Sequence, residues 1–158
     1  MTTDKITLRQ ALFADLPQMK QLFRDTILTV CANEYDEQQR SVWASSSEKT
    51  ERWENLIKEQ NVLLAFKNEI VAGFGSLLNG NYLDFMYVHK DHQRQGIAET
   101  LLNALEAEAM QQGSAVVTSD ISKTARPFFE KKRYEVITEQ KNVRGDIVLI
   151  NYKMRKEL

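Results

Sequence analysis

The stretch Val88-His-Lys-Asp-His-Gln-Arg-Gln-Gly-Ile-Ala-Glu-Thr-Leu-Leu102 carries an apolar strand end through a polar turn into an amphipathic helix that a glycine opens. Its spacing Gln93-x-x-Gly96-x-Ala98 leaves consecutive backbone N–H groups uncovered where the helix begins. Those donors and the positive end of the helix dipole suit a pyrophosphate. Small residues matter there because a large side chain would hold the ligand away from the backbone.

Reading outward toward the C-terminus, Ile97, Leu101, Leu102, Leu105 and Ala109 recur at helical spacing and predict a helix from Ile97 to Gln112, with Gly113 as its C-cap. Ala115 to Ser119 reads as a short strand and Thr124 to Lys132 as a short helix. Tyr134 to Glu139 and Ile147 to Tyr152 read as a strand pair around Arg144-Gly145-Asp146. Toward the N-terminus, Tyr82 to Val88, Ile70 to Leu78 and Val62 to Lys67 form an antiparallel meander, turned at Asn79-Gly80-Asn81 and at Asn68-Glu69. Two short helices precede it, Glu37 to Trp43 and Thr50 to Lys58, with a break at Ala44-Ser-Ser-Ser47 whose serines suit turns and caps. Asp15-Leu16-Pro17 starts an earlier helix carrying Leu16, Met19, Leu22, Phe23, Ile27 and Leu28 on one face, after a first strand from Ile6 to Arg9. This order predicts one mixed α/β (α+β) domain over residues 1–158, layered as sheet and helices.

With 158 residues and 42% hydrophobic content the chain can bury its own core, and a second catalytic domain has no room. Lys+Arg 21 against Asp+Glu 22 gives a net charge of -1, hence no broad basic field for nucleic acid and no polybasic patch for a membrane. No apolar run approaches the ~20 residues of a membrane span, and Met1-Thr-Thr-Asp-Lys-Ile-Thr-Leu-Arg-Gln10 lacks a signal peptide's apolar stretch, so the expected location is cytoplasmic. Cys31, the single cysteine, permits no intrachain disulfide and reads as a packing residue. No metal is expected: His89, His92, Asp91 and Asp120 show no ligand spacing, and the two histidines read as loop residues without a catalytic role. A Walker lysine or a Rossmann glycine fingerprint after the first strand is missing, which disfavours other nucleotide-binding folds.

Two motifs in this order resemble the GNAT superfamily of N-acetyltransferases: Met86-Tyr-Val-His-Lys-Asp-His-Gln-Arg-Gln-Gly-Ile-Ala98, and Ser122-x-x-Ala125-x-x-Phe128-Phe129-Glu130-Lys131 followed by Tyr134. Tyr82-Leu-Asp84, Asp120-Ile-Ser122 and Ala125-Arg-Pro-Phe-Phe129 look like a bacterial branch called YafP-like. The resemblance implies a single-domain GNAT-like fold, with a mixed, mostly antiparallel central sheet flanked by helices. It implies acetyl-CoA as cosubstrate, an amine of a small molecule or peptide as acceptor, direct transfer without a covalent enzyme intermediate, and room for a homodimer. It places the backbone of Met86, Tyr87 and Val88 along the pantetheine arm and Gln93, Arg94, Gln95, Gly96, Ile97, Ala98 and Glu99 around the pyrophosphate. Ser122 and Phe129 fall at the downstream cofactor positions, and the Val88 N–H polarises the thioester carbonyl. Phe129 stands where relatives carry an acidic tyrosine, and Ser122 where many carry an asparagine; Arg133 replaces a common glycine.

For the base, alternation puts Tyr82, Asp84 and Met86 on one face of the strand entering the cofactor site, which makes Asp84 the first candidate. Its other reading is a wet-face carboxylate or a partner of a nearby Arg or Lys. Asp120 is the second candidate, or else a helix cap. Tyr82, or solvent, would protonate the leaving thiolate, or the thiolate would leave well enough without an acid. Tyr35, Trp43 and Trp53 in the helical insert would wall the acceptor site or simply pack in the core, and Arg52 and Glu51 would select acceptor charge or be solvated. The missing tyrosine keeps a second expectation open, an acyl-CoA-binding sensor without turnover.

Overall fold

The computed structural model describes residues 5–158; residues 1–4, which belong to the leader reading, lie outside it. The elements are β1 (Ile6–Gln10), α1 (Leu16–Val30), α2 (Glu37–Ala44), α3 (Thr50–Glu59), β2 (Asn61–Lys67), β3 (Ile70–Leu78), β4 (Tyr82–Val88), α4 (Ile97–Gln111), β5 (Val116–Ser122), α5 (Arg126–Lys131), β6 (Glu135–Arg144) and β7 (Ile147–Glu157). Seven strands form one sheet in the order β1-β2-β3-β4-β5-β7-β6. Only β4 and β5 run parallel, joined by the crossover helix α4; every other neighbouring pair is antiparallel.

A two-residue turn joins β2 to β3. Asn68 and Glu69 both have positive φ, 52° and 66°, the conformation a two-residue hairpin needs to follow the strand twist. Helix α3 is short for a stable isolated helix. Its stability comes from Trp53 and Leu56, both 0% exposed, which sit with Phe23, Phe74 and Phe85 in the core between the sheet and α1. On the opposite face α4 lays Leu101, Leu102 and Leu105 on β3 and β4. Close approach is possible because β3 carries Gly73 and Gly75. A Cβ on Gly73 would stand 2.8 Å from Ile97 Cγ2 and 2.9 Å from the Tyr87 carbonyl oxygen. Gly73→Ala is therefore expected to cost about 1–3 kcal/mol, since a backbone oxygen cannot step aside; a melt at the wild-type temperature would show that α4 has another way to dock.

The C-terminal hairpin is longer than its sequence pattern predicts, with β6 running to Arg144 and β7 to Glu157. Polar residues on both faces of β6 hide the alternation, and full pairing with β7 supplies what burial does not. Strand β5 also continues past Ser119 to Ser122. Asp120 consequently lies inside a strand and does not cap α5; the Ser122 hydroxyl accepts from the Ala125 N–H at 3.1 Å instead.

Candidate active site

Strands β4 and β5 are paired only at Tyr82 with Thr118 and Leu83 with Ser119, and then part. The cause is a bulge. Against β3, Leu83 is the partner of Leu77 and Met86 the partner of Gly75, so Asp84 and Phe85 together face the single residue Ser76, whose hydroxyl accepts from the Phe85 N–H at 3.1 Å. An extra residue on one strand bends it away from its neighbour. The bulge also corrects the expected alternation: Asp84 and Phe85 both lie on the α3 side, while Leu83 and Met86 pack toward α4, so Asp84 and Met86 are on opposite faces.

The opened edge of β4 offers main-chain donors. The Phe85 N–H points at β3, as does that of His89, which donates to Ala72 at 2.8 Å. With the two-residue period of a strand, the Met86 and Val88 N–H groups point the other way, into the gap left by β5. The Val88 carbonyl is pinned by the Thr26 hydroxyl and by Gln93 Nε2, each at 2.8 Å. Beyond it Arg94 and Gly96 take positive φ, 60° and 85°, turning the chain into α4, whose N-terminus has no side-chain cap. A Cβ on Gly96 would meet nothing nearer than Ile6 Cδ1 at 3.9 Å, so the space over this helix end is open. Ile97 is 1% exposed and packs at Gly73, leaving only its backbone for a ligand. Gln95 accepts from Lys67 at 2.6 Å and Glu99 from Lys132 at 2.7 Å; Ala98 lies between them in the first turn of α4. A strand edge with free donors leading to an uncapped helix end fits a pantetheine arm followed by a pyrophosphate.

A cleft of about 200 Å³ fills the fork; Asp84, Met86 and Tyr87 line it from β4, Asp120 and Ser122 from β5, and Phe129 from α5. Tyr35 and Trp43 close one side. The Tyr35 hydroxyl donates to the Ile150 carbonyl and accepts from the Lys123 N–H, and burial pushes it up to about 12. Trp53 is not in this wall. It lies in the core against Phe23 and Phe85, at 5.1 Å from each ring, with its indole N–H on the Ser46 carbonyl.

The two carboxylates differ. Asp84 takes both prongs of Arg52, at 2.7 and 2.8 Å, and Gln60 Nε2 at 2.6 Å, and its side chain is 10% exposed. The pair raises the Arg52 guanidinium further above its ordinary range, and the same guanidinium stacks over Phe85 at 4.6 Å. Asp120 is exposed and faces no cation in its bonded set: it accepts from the Tyr82 hydroxyl at 2.6 Å and from Gln140 at 2.8 Å. Burial and then Asp120 push the Tyr82 hydroxyl well above its usual range, so it keeps its proton. Phe129 is 1% exposed and wedged against Phe128 and Tyr134, and the Tyr134 hydroxyl donates to Glu106, leaving no phenol at the usual acid position.

Gln60, Thr26 and the amide ladder of Gln140, Asn142 and Asn151 beside Asp120 carried no signal of their own. Gln140 and Asn142 stand two apart on β6 and Asn151 opposes Gln140 on β7, an arrangement visible only once β6 is extended past Glu139. His89 accepts from the Asp91 N–H and His92 lies 3.3 Å from Gln95, both within the turn. Cys31 is buried, with its thiol pushed up to about 11 by that burial. Among the described residues no helix is long and apolar enough to cross a membrane, and no group of three or more His, Cys, Asp or Glu is placed to hold a metal ion.

The chain belongs to the GNAT acetyltransferase family: the model described as acetyltransferase (GNAT) domain matches residues 31–156. It is 28% identical over 152 residues to the Escherichia coli (strain K12) protein called uncharacterized N-acetyltransferase YafP, covering 96% of both chains. The crystal structure of a GCN5-related N-acetyltransferase from Rhodopseudomonas palustris superposes with a TM-score of 0.94 at 29% identity, covering 100% of this chain and 99% of that one. PaiA N-acetyltransferase from Thermoplasma acidophilum, solved with coenzyme A, shares the fold with a TM-score of 0.79 at 18% identity over 98% and 99% of the chains. The protein is an acyltransferase with a seven-strand sheet flanked by helices.

Proposed function

We propose that the protein is a cytoplasmic, acetyl-CoA-dependent N-acetyltransferase that acts on the primary amine of a small molecule or peptide. The observation that carries this reading is the fork between β4 and β5, with main-chain donors along one limb and an uncapped helix end at its mouth. Coenzyme A in the PaiA structure supports the same occupant here. Acetyl-CoA supplies an activated thioester. The chain's part is to hold both reactants in one cleft, to present the Val88 N–H to the developing oxyanion, and to take a proton from the amine.

Asp120 is the better base. Each carboxylate has about four lone-pair positions; Asp84 has three filled by Arg52 and Gln60, whereas Asp120 has two filled and faces the cleft. Tyr82 and Gln140 orient it, and Tyr82 holds the one phenolic proton bonded to it. The amine proton passes to Asp120, and the thiolate takes its proton from Tyr82 or from solvent. Calorimetric titration with acetyl-CoA followed by thiol-release assays over a panel of amines tests this: saturable binding with release is expected, and no binding overturns it. Phe129 favours a second reading, an acyl-CoA sensor, whose mark would be binding with no release for any amine.

The homodimer contact fits the outer edge of β6. β6 ends the sheet order, and Val136, Ile137 and Val143 are exposed on it. Light scattering is expected to give twice the 18.3 kDa chain mass, and Val143→Arg to halve it; a wild-type monomer removes the contact.

A further inference from the structure

We infer that Asp84 is a positioning residue, and that with Arg52 and Gln60 it forms a clamp by which α3 holds the β4 bulge, and so the fork, open. The inference rests on the proposed acetyl-CoA site only for what the fork is used for. Three observations lead to it. First, the bulge forces two consecutive side chains, Asp84 and Phe85, to the same side of the sheet. A strand restored to plain alternation would turn Asp84 to the α4 face, where Leu83 now packs with Leu102 and Leu105. The bulge persists only if something on the α3 side holds both residues.

Second, both are held from one helix. Arg52 offers its two parallel N–H groups to the two Asp84 oxygens, a geometry that fixes the carboxylate's plane as well as its distance. Gln60, just past the end of α3, adds a third bond to Asp84 at 2.6 Å. The same Arg52 guanidinium lies over the Phe85 ring at 4.6 Å, and Phe85 also rests on Trp53 at 5.1 Å. One arginine therefore touches both bulge residues. Third, the donors aimed into the fork, the Met86 and Val88 N–H groups, follow two and four residues after Asp84 on the same strand. A shift at the bulge moves them directly.

The arrangement also explains the place of a charged residue inside β4. A carboxylate with both oxygens bonded to fixed donors is a firm anchor, and the nearby Asp120 is left for proton transfer. Arg52 is 46% exposed along its side chain, so its removal takes away the anchor and leaves the core intact.

The test uses the full-length protein with Asp84→Asn, Arg52→Ala, Arg52→Lys and the Asp84→Asn/Arg52→Ala double variant. Acetyl-CoA binding is read by calorimetry, turnover by thiol release, and the apo proteins by amide hydrogen exchange over residues 84–88. Each single variant is expected to weaken acetyl-CoA affinity about tenfold, about 1.4 kcal/mol. The double variant should lose no more than the worse single one, because the residues act as a unit. Arg52→Lys, which keeps the charge and loses the fork, should recover only part. Exchange over 84–88 should quicken in the apo variants. A collapse of kcat of about 10²-fold or more in Asp84→Asn with affinity unmoved would make Asp84 the base and overturn the clamp; so would unchanged exchange and affinity in Arg52→Ala. If the wild type binds no acetyl-CoA, the proposed function falls, and the exchange data alone decide the clamp.

Discussion

Gly96→Leu is expected to weaken acetyl-CoA binding at least about a hundredfold while the protein remains folded. Gly96 has a φ of 85°, where an L-residue is strained by roughly 1–2 kcal/mol. Packing adds little to that, since a Cβ would meet only Ile6 Cδ1 at 3.9 Å. The melting temperature should therefore fall by only a few degrees, on the order of 4 °C per kcal/mol and less for a chain of this size. The open space that makes the substitution tolerable to the fold is the space proposed for the pyrophosphate. A leucine there screens the first-turn N–H groups of α4, and two charge-assisted hydrogen bonds at about 1.5–3 kcal/mol each account for a hundredfold or more. Gly73→Ala makes the contrasting case, because there the new methyl meets a backbone oxygen and the loss falls on stability. Calorimetry beside a thermal melt separates the two. Wild-type affinity in Gly96→Leu would sink the phosphate-turn assignment.

The sequence made the turn into α4 and its open helix end legible because the signals are local. A glycine with positive φ, a polar turn and a helical stripe follow one another within Val88 to Leu102, and the structure places Gly96 at the N-cap of α4 as that pattern requires. The sheet was legible in the same way wherever one face is buried. In β6 it was legible only as far as Glu139; beyond that, residues on both faces meet solvent and the pairing with β7 defines the strand. The carboxylate side of the cleft depends on contacts across long stretches of chain, 32 residues from Arg52 to Asp84 and 38 from Tyr82 to Asp120. Neither pairing has a periodic signature. A bulge has none either, because it is a register shift against another strand. That is why alternation misplaced Met86 relative to Asp84, and why Trp53, equally suited by its size to a cleft wall, turned out to fill the core.

Asp120→Asn is expected to lower kcat by about 10²- to 10⁴-fold, the usual worth of a positioned general base, while acetyl-CoA affinity stays within about twofold of wild type. An asparagine has nearly the aspartate's shape and keeps an oxygen to accept from Tyr82, so the exposed end of β5 has little reason to rearrange. What it cannot do is take a proton. The split between kcat and binding matters because Asp84 and Asp120 face the same cleft and a loss of activity alone would not distinguish them. Tyr82→Phe sharpens the comparison: it deletes the hydroxyl that donates at 2.6 Å and leaves the carboxylate in place. Burial and Asp120 hold the Tyr82 proton far above neutral pH, which makes the phenol a weak acid. Its loss should therefore cost less than the loss of Asp120, about tenfold, through an aspartate no longer aimed. Equal and large losses in both variants would instead mean that the phenol delivers the thiolate's proton. Full activity in Asp120→Asn would leave proton removal to solvent or to Asp84.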